Sequence, residues 1–104
     1  MRMKDIEIVS DSIECKLDKA EDDIKNALMF KEKRGSLADV YYRMANEDME
    51  HVNMLHTQVI AIINEYKQSG KTIPEGMQTL YDILHRKHIE HAAIIKSMIT
   101  LYKE

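Results

Sequence analysis

The chain has little of what many small folds depend on: one cysteine, one proline, three glycines, no tryptophan, and aromatic side chains at only 6% of 104 residues. A lone Cys15 excludes an internal disulfide and the paired thiolates of a zinc finger, and it suits a reducing compartment. So few Gly and Pro exclude the many tight turns of a β-sandwich or barrel. No segment approaches the run of about 20 apolar residues that spans a membrane, and Ile6-Glu7-Ile8-Val9 falls short of a secretory apolar core. A soluble cytoplasmic protein is therefore expected. An excess of one charge is also absent. Fifteen Lys plus Arg oppose eighteen Asp plus Glu for a formal −3, mixed along the chain without a basic stripe, so nucleic acid is not an expected partner.

What is present is helix-forming. Hydrophobic residues make up 44% and charged residues 32%, enough for one packed core under a polar surface, and the length suits one domain over residues 1–104. Lys31-Glu32-Lys33-Arg34-Gly35 reads as the basic last turn of a helix with Gly beyond it, and Ser36-Leu37-Ala38-Asp39 as the cap of the next. Ser69-Gly70-Lys71 reads as a second loop, after which Thr72, Pro74 and Glu75 supply a cap, an early Pro and a capping-box acid. Helices are expected over 5–34, 36–69 and 73–103, the first starting as late as Ser10. Short connections between them predict an all-α, antiparallel up-down-up three-helix bundle.

The apolar periodicity sets the candidate core and shows where it is interrupted. The first helix carries an unbroken seam of Ile6, Val9, Ile13, Leu17, Ala20, Ile24 and Ala27, with Glu14 and Glu21 beside it. The second repeats Leu37, Tyr41, Met44, then Asp48 and His51, then Leu55, Val59, Ile62 and Tyr66. The third repeats Met77, Tyr81, Leu84, then His88 and His91, then Ile95, Met98 and Tyr102. Each of the last two seams is polar for one turn at mid-length. Reflection about the loops sets His51 level with residue 92, so His51 is expected to face His91, and Glu21 level with Asp48 or Met49.

Burying an Asp and several imidazoles costs several kcal/mol unless each finds a partner, and one bound cation satisfies them together. Residues three apart project to one side of a helix, so Asp48 with His51 and His88 with His91 can each grip an ion. Imidazole with carboxylate suits transition metals; calcium and magnesium prefer oxygen alone. Glu47 and Glu90 are placed to add ligands or to orient imidazoles. The opposing reading is a hydrogen-bonded polar network with no metal, in a non-enzymatic helical interaction or assembly protein of unknown partner. His56 and His85, taken singly, read as ordinary core or boundary residues, and the eight Met residues as flexible core filler.

Tyr42-Arg43-Met44-Ala45-Asn46-Glu47-Asp48-Met49-Glu50-His51 resembles the second helix of ferritin-like and rubrerythrin-like proteins, where an apolar-Ala pair precedes acids and a Glu-x-x-His motif. Ile13-Glu14-x-x-Leu17 and Ala20-Glu21 are similar to the first helix of that family, which supplies a single Glu. The resemblance covers residues 13–56. It implies a metal layer of Glu21 (or Glu14), Asp48, His51, His88 and His91 holding one or two transition-metal ions, iron first and manganese or zinc next, for redox chemistry or metal handling. Asp48 and His88 stand where the family has Glu.

Three helices of about 30 residues make a thin bundle, and Glu14, Leu17, Glu21, Ile24 and Leu28 form a second stripe on the first helix. A homodimer that covers this stripe is expected.

Overall fold

The computed structural model describes the backbone of residues 3–70 and 75–104, and the side chains of residues 5–70 and 76–104. Those residues form three helices: α1 (Met3–Phe30), α2 (Gly35–Gln68) and α3 (Glu75–Lys103). They pack into a rod whose Cα trace measures 57 × 19 × 17 Å. Among the described residues no helix is long and apolar enough to cross a membrane.

α1 is the central element and packs against both other helices, whereas the backbones of α2 and α3 approach one another at few points. Its seam explains why. Ile6, Ile13, Leu17, Ala20, Ile24 and Ala27 are all nearly inaccessible, Ser10 takes the seam position beside a half-buried Val9, and Asp23 is buried as well. The alanines matter for α2: Ala20 and Ala27 of α1 and Ala38 and Ala45 of α2 are all 0% exposed. Side chains this small let two helix backbones come close.

That approach rotates α2 from the expected face. Its buried residues are Ala38, Ala45, Asp48, Met49, Val52, Val59 and Ile63. Leu37 and His51 turn outward, because Ala38 and Ala45 occupy the line that larger side chains were expected to fill. α3 buries less, chiefly Met77, Ile95 and Ile99.

The chain turns differently from the expected caps. α1 stops at Phe30, four residues short of Arg34, and the Arg34 N–H returns to the Phe30 carbonyl at 2.8 Å. The cations Lys31, Lys33 and Arg34 therefore lie after α1, which has no basic residue in its last turn. α2 starts at Gly35 with Arg34 at the cap and no side-chain cap bond, so Ser36 is inside the helix. Asp39 accepts a hydrogen bond from the Tyr102 hydroxyl of α3 instead of closing a capping box. At the second turn the Ser69 N–H bonds to Glu65, and Gly70 has φ +78°, a left-handed conformation that suits glycine. The expected cap at Thr72, Pro74 and Glu75 lies outside the described residues and side chains.

Aromatic stacks tie the end of the rod near the first turn. Phe30 stacks on Tyr41 with ring centres 6.1 Å apart, and Tyr42 on Tyr102 at 4.7 Å. The Lys31 ammonium sits 5.4 Å from the Tyr102 ring centre.

Candidate functional site: a polar middle layer split among three interfaces

The middle turns hold the interrupted seams, and the structure sorts their polar side chains by interface. Between α1 and α3, His91 Nε2 meets Glu21 Oε1 at 3.2 Å. Glu21 also accepts from Lys25 at 3.2 Å, and its carboxyl is held below the usual range by Lys25 first and His91 after it. One to two turns earlier, Glu14 pairs with Lys87 at 2.9 Å, which lowers the Glu14 carboxyl in the same way. Of the stripe expected to meet a second copy, Glu14 and Glu21 bond to α3 of the same chain, Leu17 and Ile24 are fully buried and Leu28 is half-buried. The reason is the central position of α1, which has a helix on each side.

Between α1 and α2 lies a carboxylate pair that periodicity did not single out. Asp23 is 1% exposed and Asp48 is 8% exposed. Burial first, and the neighbouring Asp48 carboxyl next, push the Asp23 carboxyl up to about 6. Lys19 reaches Asp23 and Lys16 reaches Asp48, each at 3.9 Å. His51 lies 4.0 Å from Asp48, but its side chain is 46% exposed. His51 therefore does not face His91: Asp48 is its neighbour, and Glu21 is that of His91. Turn lengths fix height along a helix but not rotation about its axis, and here Asp48 of α2 and His91 of α3 turn towards α1 while His51 stays largely exposed.

Between α2 and α3 the histidines that do meet are His56 and His85. His56 Nε2 and His85 Nδ1 are 3.1 Å apart, with their rings within 7° of parallel. Tyr81 also stacks on His85, 5.3 Å between ring centres. His88, one turn on from His85, lines the same groove, which has a volume of about 340 Å³. Burial lowers the basicity of His88 and of His56, with neighbouring imidazoles adding to the effect, and Glu14 opposes it at His88. The His88 Nε2 atom is buried with no hydrogen-bond partner.

Of the five expected ligands, the structure pairs Glu21 with His91 and Asp48 with His51, and places His88 with neither pair. Among the described residues no group of three or more His, Cys, Asp or Glu side chains is arranged to hold a metal ion as it stands. The sequence pattern did not mark Asp23, and it read His56 and His85 as ordinary core or boundary residues. A signal existed for Asp23, which sits three residues after Ala20 and four before Ala27, on the seam spacing. For His56 and His85 there was only their place on successive helices. Protein-family models, curated proteins and solved structures give no match to this chain.

Proposed function

We propose that the chain is a small ferritin-like bundle, with helices running antiparallel up, down and up, that binds a transition-metal ion through imidazole and carboxylate side chains of its middle turns. Iron, manganese and zinc are the candidate ions, and metal handling or redox chemistry the role. The helix directions are supported by the side-chain pairs 23–48 and 30–41 between α1 and α2, and 42–102 and 56–85 between α2 and α3. The observation that carries the metal reading is His88 Nε2, a buried ring nitrogen without a hydrogen-bond partner. Such an atom costs about 1–3 kcal/mol if left alone, and a cation is one of the few partners that a lone pair in a histidine-lined groove can take. The test is elemental analysis of protein purified without a histidine tag, beside His88→Ala. Near-stoichiometric metal in the wild type and its loss in the variant is the expected result. Wild type that takes up none of the three ions on reconstitution overturns the reading.

A second reading, a helical interaction module that pairs with a second copy, is favoured by α3. Ile83, Ile94 and Leu101 are 60%, 52% and 55% exposed and lie along one side of that helix at spacings of eleven and seven. Sedimentation velocity tests it: a dimer that dissociates on Ile94→Asp supports it, and a monomer at high concentration excludes it.

A further inference from the structure

The metal reading names a kind of chemistry; the groove between α2 and α3 gives that chemistry a place. We propose that His56, His85 and His88 bind one divalent ion of borderline softness, of which zinc is the representative. This assignment rests on the metal-binding reading above and replaces the ligands that the family resemblance implies with two histidines the resemblance does not include.

Geometry is the first support. His56 Nε2 and His85 Nδ1 lie 3.1 Å apart on two different helices. Two imidazole nitrogens on one tetrahedral zinc, each about 2.0–2.1 Å from it, are about 3.4 Å apart, so the pair stands close to ligand spacing already. As a hydrogen bond this contact needs one ring to donate. Both nitrogens can instead donate lone pairs to an ion beside the line between them once the donor ring adopts its other tautomer, and the neutral charge of both rings is kept. The contact also closes a gap that the backbones leave open, since α2 and α3 come near one another at few points.

His88 supplies the third donor. It follows His85 by three residues, so both project to one side of α3. It lines the same groove, and its Nε2 has no partner to give up. The site requires the His88 ring to turn towards the pair and the His56 and His85 rings to tilt until their lone pairs meet beside the line that joins them, because the three rings do not converge as they stand. Tyr81, stacked on His85, limits how far that ring can swing, the kind of support that orients an imidazole ligand.

The surroundings select the ion. Ile13, Val52, Ile89 and Ala92 make most of the wall apolar, Asn53 and Lys96 are its other polar side chains, and among the described residues no carboxylate lines the groove. Glu14, the carboxylate that acts on His88, is engaged by Lys87. Three neutral nitrogens without carboxylate oxygen disfavour calcium, magnesium and manganese and suit zinc, nickel or copper. The groove leaves room for water at the remaining position of a tetrahedral ion.

The experiment is a titration of the untagged full chain, labelled with nitrogen-15, with zinc alone at pH 7, following the ring nitrogens of all five histidines by long-range nitrogen–proton NMR. Shifts at His56, His85 and His88 that saturate at one equivalent, with His51 and His91 unmoved, are expected. Calorimetry on His56→Gln and His85→Gln, each checked for wild-type helicity by circular dichroism, should show affinity down at least about tenfold. Shifts confined to His51 and His91, or wild-type affinity in both folded variants, overturn the three-histidine assignment and leave the broader metal reading standing. No shift at any histidine overturns this assignment, and the broader reading falls with it only if iron and manganese also fail to bind.

Discussion

At the scale of single residues, two kinds of titrating group in the core oppose one another. Asp23 has a folded-state pKa of about 6, above its ordinary 3.8, so the folded state holds its proton more tightly than the unfolded chain does. Its contribution to stability is complete below 3.8 and is lost as pH rises through about 6. His56 and His88 are lowered from 6.5, so their contribution is present above 6.5 and is lost as pH falls through their folded-state values. At neutral pH the ionised Asp23 faces Asp48 without a proton to share between them. Asp23→Asn, whose amide can donate to Asp48, should stabilise the metal-free protein by about 1 kcal/mol at pH 7, since Lys19 loses only an exposed contact. Urea denaturation measures this, and the gain should shrink as pH approaches 4. The same variant should lose stability more steeply than wild type between pH 6.5 and 5, because protonation of Asp23 no longer offsets the resistance of the histidines. Equal slopes would mean that Asp23 does not hold its proton more tightly in the folded state than in the unfolded chain.

At the scale of the helix, alanine decides how α1 and α2 meet. Ala45 is fully buried near Ala20 and Ala27 in one core cluster, so Ala45→Leu must push α2 off α1 and should cost about 1–3 kcal/mol, read as a lowered urea midpoint. A hydrophobicity pattern alone predicts the opposite sign, since it scores leucine above alanine on a buried face. The pattern on α1 was legible because its seam is strict, and Ile13, Leu17, Ala20, Ile24 and Ala27 are all buried as expected. On α2 it misled by favouring large residues such as Leu37 and Met44 over Ala38 and Ala45. The carboxylate pair of Asp23 and Asp48 follows from the same close approach, which carries one acidic residue from each helix into the interface.

At the scale of the whole molecule, the rod is held along α1, and its parts should differ in stability. Among the described side chains of α3, Met77 alone is buried before Ile95, whereas α1 is buried at regular intervals from Ile6 to Ala27. Amide hydrogens at residues 79–86 should therefore exchange faster, by about tenfold or more, than those at residues 13–27, which hydrogen exchange followed by mass spectrometry or NMR can resolve. An ion bridging His56 and His85 would join α2 to α3 in this looser stretch, so zinc should slow the exchange of residues 79–86 selectively. A uniform slowing, or none, would count against a bridge at that place.

Three helices, the turns between them and a polar interruption at mid-length were determined by the sequence alone. Scarce Gly and Pro mark the turns, and 3.6-residue periodicity marks which positions leave the apolar pattern. Tertiary structure decided which of those polar residues meet: Glu21 with His91, Asp23 with Asp48, His56 with His85. The physical reason is that loop length sets height along a neighbouring helix, whereas rotation about the axis is set by how closely the backbones can pack. That closeness depends on the four buried alanines of α1 and α2, and on the backbones of α2 and α3 packing closer to α1 than to each other.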